Sequence, residues 1–166
     1  MTLADCDRVS EIRVRGWQNA YRGLMPQACL DALSVREDAE RRRVRFATGP
    51  ASVVNLVAEQ DGEVVGWAVH GPCRDGEEYT ADAELYALYV DPGRLGSGIG
   101  RELLARAVGQ CTAAGHPRML LWVLKENAPA RRFYRRAGFR PDGAEESFDV
   151  DGVAVPEVRY ERALTG

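Results

Sequence analysis

A glycine-rich segment in the middle of the chain has the composition of an anion-binding turn. It follows the apolar run Glu84 to Val90 and contains Gly93, Gly96, Gly98 and Gly100. Glycines let a backbone approach a ligand closely, and the N–H groups that begin a helix favour negative charge. The segment lacks G-K-[ST] and does not fit G-x-G-x-x-G, which excludes a nucleoside-triphosphate loop and a dinucleotide fingerprint. We expect a strand–turn–helix that binds a pyrophosphate without a metal ion, with a purely structural turn as the alternative.

The elements that must position this turn follow from hydrophobic periodicity. Helical spacing predicts helices over 7–21, about 27–46, 99–115 and 128–136. Within the second of these, Arg41, Arg42 and Arg43 are interpreted as a solvated face, because Glu37–Arg41 and Asp38–Arg42 are i,i+4 pairs. Apolar runs predict strands over 52–59, 63–70, 84–90, 119–124, 145–150 and 153–164, with a polar connection over 71–80. The 84–90 strand is expected to be central and buried on both faces.

Hairpin turns at Asp61-Gly62 and Asp151-Gly152 complete the pattern, and Pro156 predicts a bulge or an edge position in the last strand. The predicted fold class is α/β (α+β), one domain over residues 1–166 with a mixed, mostly antiparallel twisted sheet flanked by helices.

Charge and cysteine content narrow the class of protein. The chain has 22 Lys and Arg against 25 Asp and Glu, a net charge of −3, which argues against nucleic-acid binding. Its four cysteines are widely separated, so no metal site is expected and free thiols are predicted. No apolar run reaches membrane-spanning length and no signal-peptide pattern begins the chain, so we expect a cytoplasmic protein that does not bind membranes.

Three sequence blocks resemble the coenzyme A motifs of the GNAT superfamily of N-acetyltransferases. They are Leu85 to Pro92, Gly98 to Leu104, and Asn127 to Phe139, and they occur in the family's order within 53–164. The resemblance implies the GNAT fold, in which the central strand and the next strand splay apart. It also implies acetyl-CoA as cosubstrate and Trp17 to Pro26 on the acceptor side.

The resemblance assigns roles to individual residues. Glu84 would be the general base and Tyr134 the acid near the sulfur. Trp17, Tyr21 and Tyr86 would line the acceptor pocket. The coenzyme would be bound by the strand backbone, the glycine turn and one asparagine, namely Leu88, Tyr89, Val90, Leu95, Gly96, Ser97, Gly98, Ile99, Gly100, Arg101 and Asn127.

Each role has a structural alternative. Glu84 could be a solvated strand end, with Glu77, Glu78, Asp82 or His70 as the base. Tyr134 could be a packing aromatic beside Phe133. Trp17 and Tyr21, one helical turn apart, fit a core stripe equally well.

Acetylation of an amine requires these residue types. An alkylammonium has a pKa of about 10 and must lose a proton before it attacks a thioester, which a nearby carboxylate promotes. We therefore expect direct acetyl transfer from acetyl-CoA to a primary amine in a ternary complex. The acceptor stays open between a small molecule and a peptide amine, and a non-catalytic coenzyme A-binding regulatory module is the rival interpretation.

The sequence differs from the family pattern at two places. Leu95 stands where the family usually has Gln or Arg, which weakens or rearranges one pyrophosphate contact, and Arg94 or Arg101 would supply the missing charge. Residues 1–6 leave little room for the strand that precedes the first helix in most members. A short strand, an open sheet edge, or an edge covered in a homodimer would each account for this.

Overall fold

The computed structural model describes residues 1–75, 78–150 and 152–164. The helices are α1 (Cys6–Ala20), α2 (Gln27–Asp31), α3 (Val35–Thr48), α4 (Ile99–Ala113) and α5 (Ala128–Arg136). The strands are β1 (Val54–Gln60), β2 (Glu63–Asp75), β3 (Glu78–Val90), β4 (Arg118–Leu124), β5 (Arg140–Val150) and β6 (Val153–Ala163).

All six strands form one sheet in the order β1-β2-β3-β4-β6-β5. The β3–β4 pair is parallel and the other four pairs are antiparallel. The larger core lies between the sheet and α4, where Leu103, Leu104 and Ala107 pack against Leu85 and Leu121. A smaller core lies under α1 on the opposite face. The predicted mixed sheet flanked by helices is confirmed, and β3 is central as expected.

A bulge in β3 separates it from β4. Along β2, Val69 pairs with Ala87 but the next residue, His70, pairs with Leu85, so Tyr86 is one extra residue in β3. Bulges bend a strand and increase its twist. The parallel partners are limited to Ala83–Met119 and Glu84–Leu120, immediately before the bulge. Beyond that point the two strands diverge, which confirms the predicted splay and leaves the last residues of β3 only half-buried.

Four local predictions were wrong. The predicted second helix is in fact two helices, because Ala32 to Ser34 are not helical. The Ser34 hydroxyl caps α3 by accepting from the Glu37 N–H at 3.3 Å. The polar stretch after residue 70 continues β2 to Asp75 and begins β3 at Glu78, since each strand supplies the other's backbone partners. The strand over 84–90 is not buried on both faces, because the splay leaves its last four residues half-buried and Tyr86 exposed. Pro156, by contrast, has the predicted edge position: it lies beyond the last β4 pair and has a strand partner only in β5, and its carbonyl accepts from the Lys125 N–H at 2.8 Å.

The fourth correction concerns the arginine cluster. Arg42 and Asp38 are buried, not solvated. Arg42 donates to Asp38 and to Ser10 at 2.9 Å each and stacks over Trp67, while Asp38 also accepts from Arg13 at 2.7 Å. The i,i+4 pair was predicted correctly, but the packing of α3 on α1 encloses it.

At the start of the chain, a 3-10 turn at Leu3–Asp5 leads directly into α1. Residues 1–53 contain no sheet strand, so β1 is an edge of the described sheet. The interpretation as a single domain stays a prediction.

Candidate active site

The divergence of β3 from β4 opens a cleft of about 860 Å³. Its walls come from β3, the glycine turn, α1, α5 and the β5–β6 hairpin. All the predicted site residues but one line this cleft, from Glu84 at the point of divergence to the turn before α4. The exception is Ser97, whose hydroxyl donates to the Arg94 carbonyl at 2.6 Å. The sequence therefore predicted both ends of one continuous cavity.

The glycine turn is organised by Asp91. This carboxylate accepts from the Gly93 N–H at 2.9 Å and from Arg8 on α1. Gly96 and Gly98 have φ of +81° and +93°, values that side chains strongly disfavour, and a Cβ at Gly96 would meet no atom within 4 Å. The turn then begins α4 with its first N–H groups unpaired within the helix. Such a terminus suits a pyrophosphate.

Positive side chains surround the same end of the cleft. Arg94, Arg101 and Arg136 line it, and Arg101 folds back so that its guanidinium would lie 3.5 Å from a Cβ at Gly98. Leu95 is 59% exposed, so its departure from the family pattern removes a side-chain contact and leaves the backbone N–H in place.

Glu84 lies where β3 leaves β4, on the face covered by α1. Burial raises the pKa of its carboxyl and the charge of Glu146 adds to this, while the nearby Cys73 thiol and the charge of Arg159 act in the opposite direction. The Cys73 thiol itself lies 3.6 Å from the Arg74 carbonyl, to which it donates. A carboxylate with a raised pKa is a better proton acceptor than a solvated one. This environment fits the base predicted from the sequence.

The alternative bases are placed less favourably. Asp82 is held by Arg118 at 2.6 and 3.1 Å. His70 lies on the α4 face, where its Nε2 is 2.9 Å from Gln110 Oε1 and its Nδ1 is 3.3 Å from the Cys111 thiol. Glu78 is exposed at the start of β3, outside the cleft lining. Glu77 lies outside the described residues, as does Asp151 of the last predicted turn.

Three tyrosines meet in the middle of the cleft. The hydroxyls of Tyr21 and Tyr89 are 3.1 Å apart. Tyr134 packs edge-on against Phe133 and Phe139, with ring centroids 5.1 and 6.0 Å away. Burial and the neighbouring Tyr89 raise the pKa of Tyr134, so its hydroxyl stays protonated at neutral pH and can donate to a thiolate.

Asn127 lies at the start of α5, facing the cleft. Its side-chain oxygen accepts from the Ala130 N–H at 3.2 Å and caps the helix. The contact with the coenzyme that the resemblance assigns to Asn127 stays a prediction.

The acceptor end of the cleft is aromatic. Trp17 contacts Tyr21 and Phe148 edge-on, with ring centroids 5.2 and 6.3 Å away. Tyr86 is 40% exposed, and its hydroxyl donates to the Pro72 carbonyl. Trp17, Tyr21 and Tyr86 line the same cleft as Glu84, and their role in binding the acceptor stays a prediction.

Glu157 on β6 is a cleft residue that the sequence analysis missed. It pairs with Leu124 of β4 on one side and with Glu146 of β5 on the other. Burial and the charge of Glu146 raise the pKa of Glu157 to about 7. Strand alternation was the available signal, since Glu157 shares a face with the buried Val155.

No helix of the described part of the chain is long and apolar enough to cross a membrane. Within 1–75, 78–150 and 152–164, no group of three or more His, Cys, Asp or Glu side chains could hold a metal ion.

The splayed sheet, its anion-binding turn and the raised-pKa carboxylate define an acyl-transferring enzyme of the coenzyme A-dependent class. The sequence profile of the Acetyltransferase (GNAT) family matches residues 14–139, and the chain belongs to this family. The predicted acyltransferase class and its acetyl-CoA cosubstrate are thereby confirmed at family level.

Individual relatives agree with this assignment. The uncharacterized N-acetyltransferase YuaI of Bacillus subtilis is 31% identical over 157 residues, 94% of this chain and 86% of the relative. The ribosomal-protein-alanine N-acetyltransferase of Brucella melitensis superposes with a TM-score of 0.75 at 24% identity, covering 98% of this chain and 96% of that one. YncA of Salmonella typhimurium, solved with acetyl-CoA, gives 0.73 at 23% identity, covering 100% and 92%.

Proposed function

We propose that this protein transfers the acetyl group of acetyl-CoA directly to a primary amine within a ternary complex. The observation that carries the proposal is the arrangement of one cleft. It has an anion-binding turn at one end, the half-buried carboxylate of Glu84 at the other, and the protonated hydroxyl of Tyr134 in the same cleft. A ligand with a pyrophosphate head and a thioester tail fits this order.

The acetyl-CoA arm would lie along the part of β3 that has no β4 partner. Residues Leu88 to Val90 pair with β2 on one edge only, so alternate backbone N–H groups on the other edge face the cleft. Such groups can donate to the pantetheine amides and to the thioester carbonyl. The turn from Leu95 to Arg101 would hold the pyrophosphate, with Arg94 and Arg101 supplying charge.

Glu84 and Tyr134 divide the proton transfers between them. Glu84 takes a proton from the ammonium, and the amine lone pair attacks the thioester carbon. The attack forms the carbon–nitrogen bond and leaves one extra proton on the nitrogen. When the tetrahedral intermediate collapses, the carbon–sulfur bond breaks and Tyr134 gives its proton to the thiolate. The extra proton on the nitrogen then restores the Tyr134 hydroxyl, and Glu84 releases the ammonium proton to solvent. The product amide keeps the acetyl group, and free coenzyme A leaves.

The test measures release of free thiol with acetyl-CoA and a panel of primary amines. Glu84→Gln should lower kcat/KM by about 100-fold or more, and its rate should lose the dependence on an ionising carboxyl. Tyr134→Phe should lower kcat more than KM. Glu59→Gln, an exposed carboxylate on β1, is the matched control. Unchanged turnover in both active-site variants would refute these two roles.

The rival interpretation is a non-catalytic regulatory module, which Leu95 supports. A thermal-shift titration with acetyl-CoA, coenzyme A, ATP and NAD separates the cases: binding without turnover of any small or peptide amine would favour the module. The proposed acceptor is a small-molecule amine or a peptide amine. Cytoplasmic location and a homodimer stay predictions. The β1 edge supports the homodimer, and light scattering showing a monomer at micromolar concentration would remove it.

A further inference from the structure

A second cavity opens from the acceptor end of the cleft. It has a volume of about 290 Å³ and lies between α1, α2 and the β5–β6 hairpin. Trp17, Met25 and Phe148 line both cavities, so the two adjoin at these side chains. The volume is near the lower limit for small-molecule pockets and suits one compact substituent.

Eight of the nine side chains that line the second cavity are apolar, and the ninth is Asp149. Leu30 and Met25 are buried at its base, Leu33 and Val150 form its sides, and Phe148 is 41% exposed above it. An exposed aromatic ring costs solvation free energy unless it covers an apolar group. Phe148 and Trp17 meet in a T-shaped contact, with 6.3 Å between their ring centroids.

The charges at this end of the combined cavity are all negative. Among the described lining residues, the acceptor side carries the carboxyl groups of Glu84, Glu157 and Asp149. The lining arginines are Arg94, Arg101 and Arg136, which belong to the glycine turn and α5. The nearby Arg159 is already bound to Asp142 at 2.6 Å. Arg13, whose guanidinium lies 4.6 Å from the centre of the Trp17 ring, is likewise bound to Asp38 at 2.7 Å. An ammonium group is therefore favoured here over a substrate carboxylate.

We infer that the acceptor is a primary amine that bears a compact apolar group and no neighbouring carboxylate. The amine faces Glu84 and Glu157, and the apolar group fills the cavity beneath Phe148. Free amino acids are excluded as good substrates. Hydrophobic amines share the required chemistry, as do peptides with an apolar first residue, whose α-amine is free and whose α-carboxyl is part of an amide. This inference rests on the proposed function and specifies its substrate class.

The test compares matched acceptors in the thiol-release assay. Phenethylamine should exceed ethanolamine in kcat/KM by at least about tenfold, because one compound buries an aromatic ring and the other cannot. L-phenylalaninamide should exceed L-phenylalanine by at least about tenfold, because the pair differs in the carboxylate. A peptide beginning with phenylalanine, measured beside phenethylamine, distinguishes the peptide source from the small-molecule source.

Substitutions in the lining of the second cavity test whether this cavity causes the preference for phenethylamine. Phe148→Ala should reduce the preference for phenethylamine over ethanolamine several-fold, and Ala32→Phe, at an exposed lining position, should block the cavity and do the same. Val153→Ala changes another exposed apolar residue of the same hairpin outside both linings and should leave the preference unchanged.

The outcomes separate the two proposals. A preference for ethanolamine or free phenylalanine would overturn the inference and leave acetyl transfer standing. Binding of acetyl-CoA without acetylation of either aromatic amine would also overturn it. Absence of acetyl-CoA binding would instead reject the proposed function.

Discussion

Replacing Glu157 by glutamine should stabilise the protein above neutral pH. The pKa of this carboxyl is about 7, against an ordinary value of 4.5, because it is buried and lies near Glu146. Between these two pH values the unfolded chain loses the proton while the folded chain keeps it. The free energy of unfolding must therefore fall as pH rises through that window and stay low above it.

The size of the effect follows from the same two values. A pKa difference of this size corresponds to about 3 kcal/mol. Water in the open cleft screens part of this interaction. We therefore expect Glu157→Gln to raise the free energy of unfolding by about 1–2 kcal/mol at pH 8 and by almost nothing at pH 4.5. Glutamine keeps the shape of the side chain and removes only the ionisation.

Urea unfolding of both proteins at pH 4.5 and pH 8 measures this difference directly. Glu59→Gln, at an exposed strand position, controls for a general loss of negative charge. A Glu157→Gln protein that is no more stable than the parent at pH 8 would refute the argument. The same variant should acetylate amines less efficiently at pH 8, because the second carboxylate beside the ammonium is lost.

Three further predictions follow from other contacts. Asp38→Ala should lower the free energy of unfolding, measured in urea, by about 3–4 kcal/mol, because it leaves the buried Arg42 without its carboxylate partner. Leu95→Gln should tighten acetyl-CoA binding several-fold in a calorimetric titration by adding a donor beside the glycine turn; weaker binding would contradict this. Cys73→Ala should shift the acidic limb of the pH–rate profile to higher pH, because the thiol no longer stabilises ionised Glu84, and Cys73→Ser should shift it less.

The sequence was most informative for features of the site that are encoded within a short stretch of the chain. The glycine turn, the capped start of α5 and the last residues of β3 each have a signal within about ten residues, and they lie where predicted. Their common cleft could be inferred only through the family resemblance, since its walls come from distant parts of the chain. The bulge at Tyr86 had no local signal, because it depends on how β2 pairs with β3.

Most of the missed features are tertiary, the exception being the start of α3, which Ser34 and Glu37 mark locally. The burial of Arg42 depends on the packing of α3 against α1. The i,i+4 pair of Arg42 with Asp38 does not predict this burial, because such pairs are equally typical of exposed helices. Glu157 looks like an ordinary polar residue of a hairpin until β4 is placed beside it and the splay exposes that face. The extension of β2 and β3 past residue 70 depends on mutual pairing, which overrides the low strand propensity of Gly71 and Pro72.

The cleft is polarised along its length, and this explains how one cavity can orient two substrates. Arginines and unpaired helix N–H groups lie at the α4 end, while carboxylates lie at the β6 end. In the complex proposed above, acetyl-CoA would be favoured in one direction only, with its pyrophosphate at the arginines and its thioester toward Glu84. The ammonium group of the acceptor would be attracted to the opposite end. Because Glu157 costs stability where it lies, its position is better explained by this charge gradient than by folding.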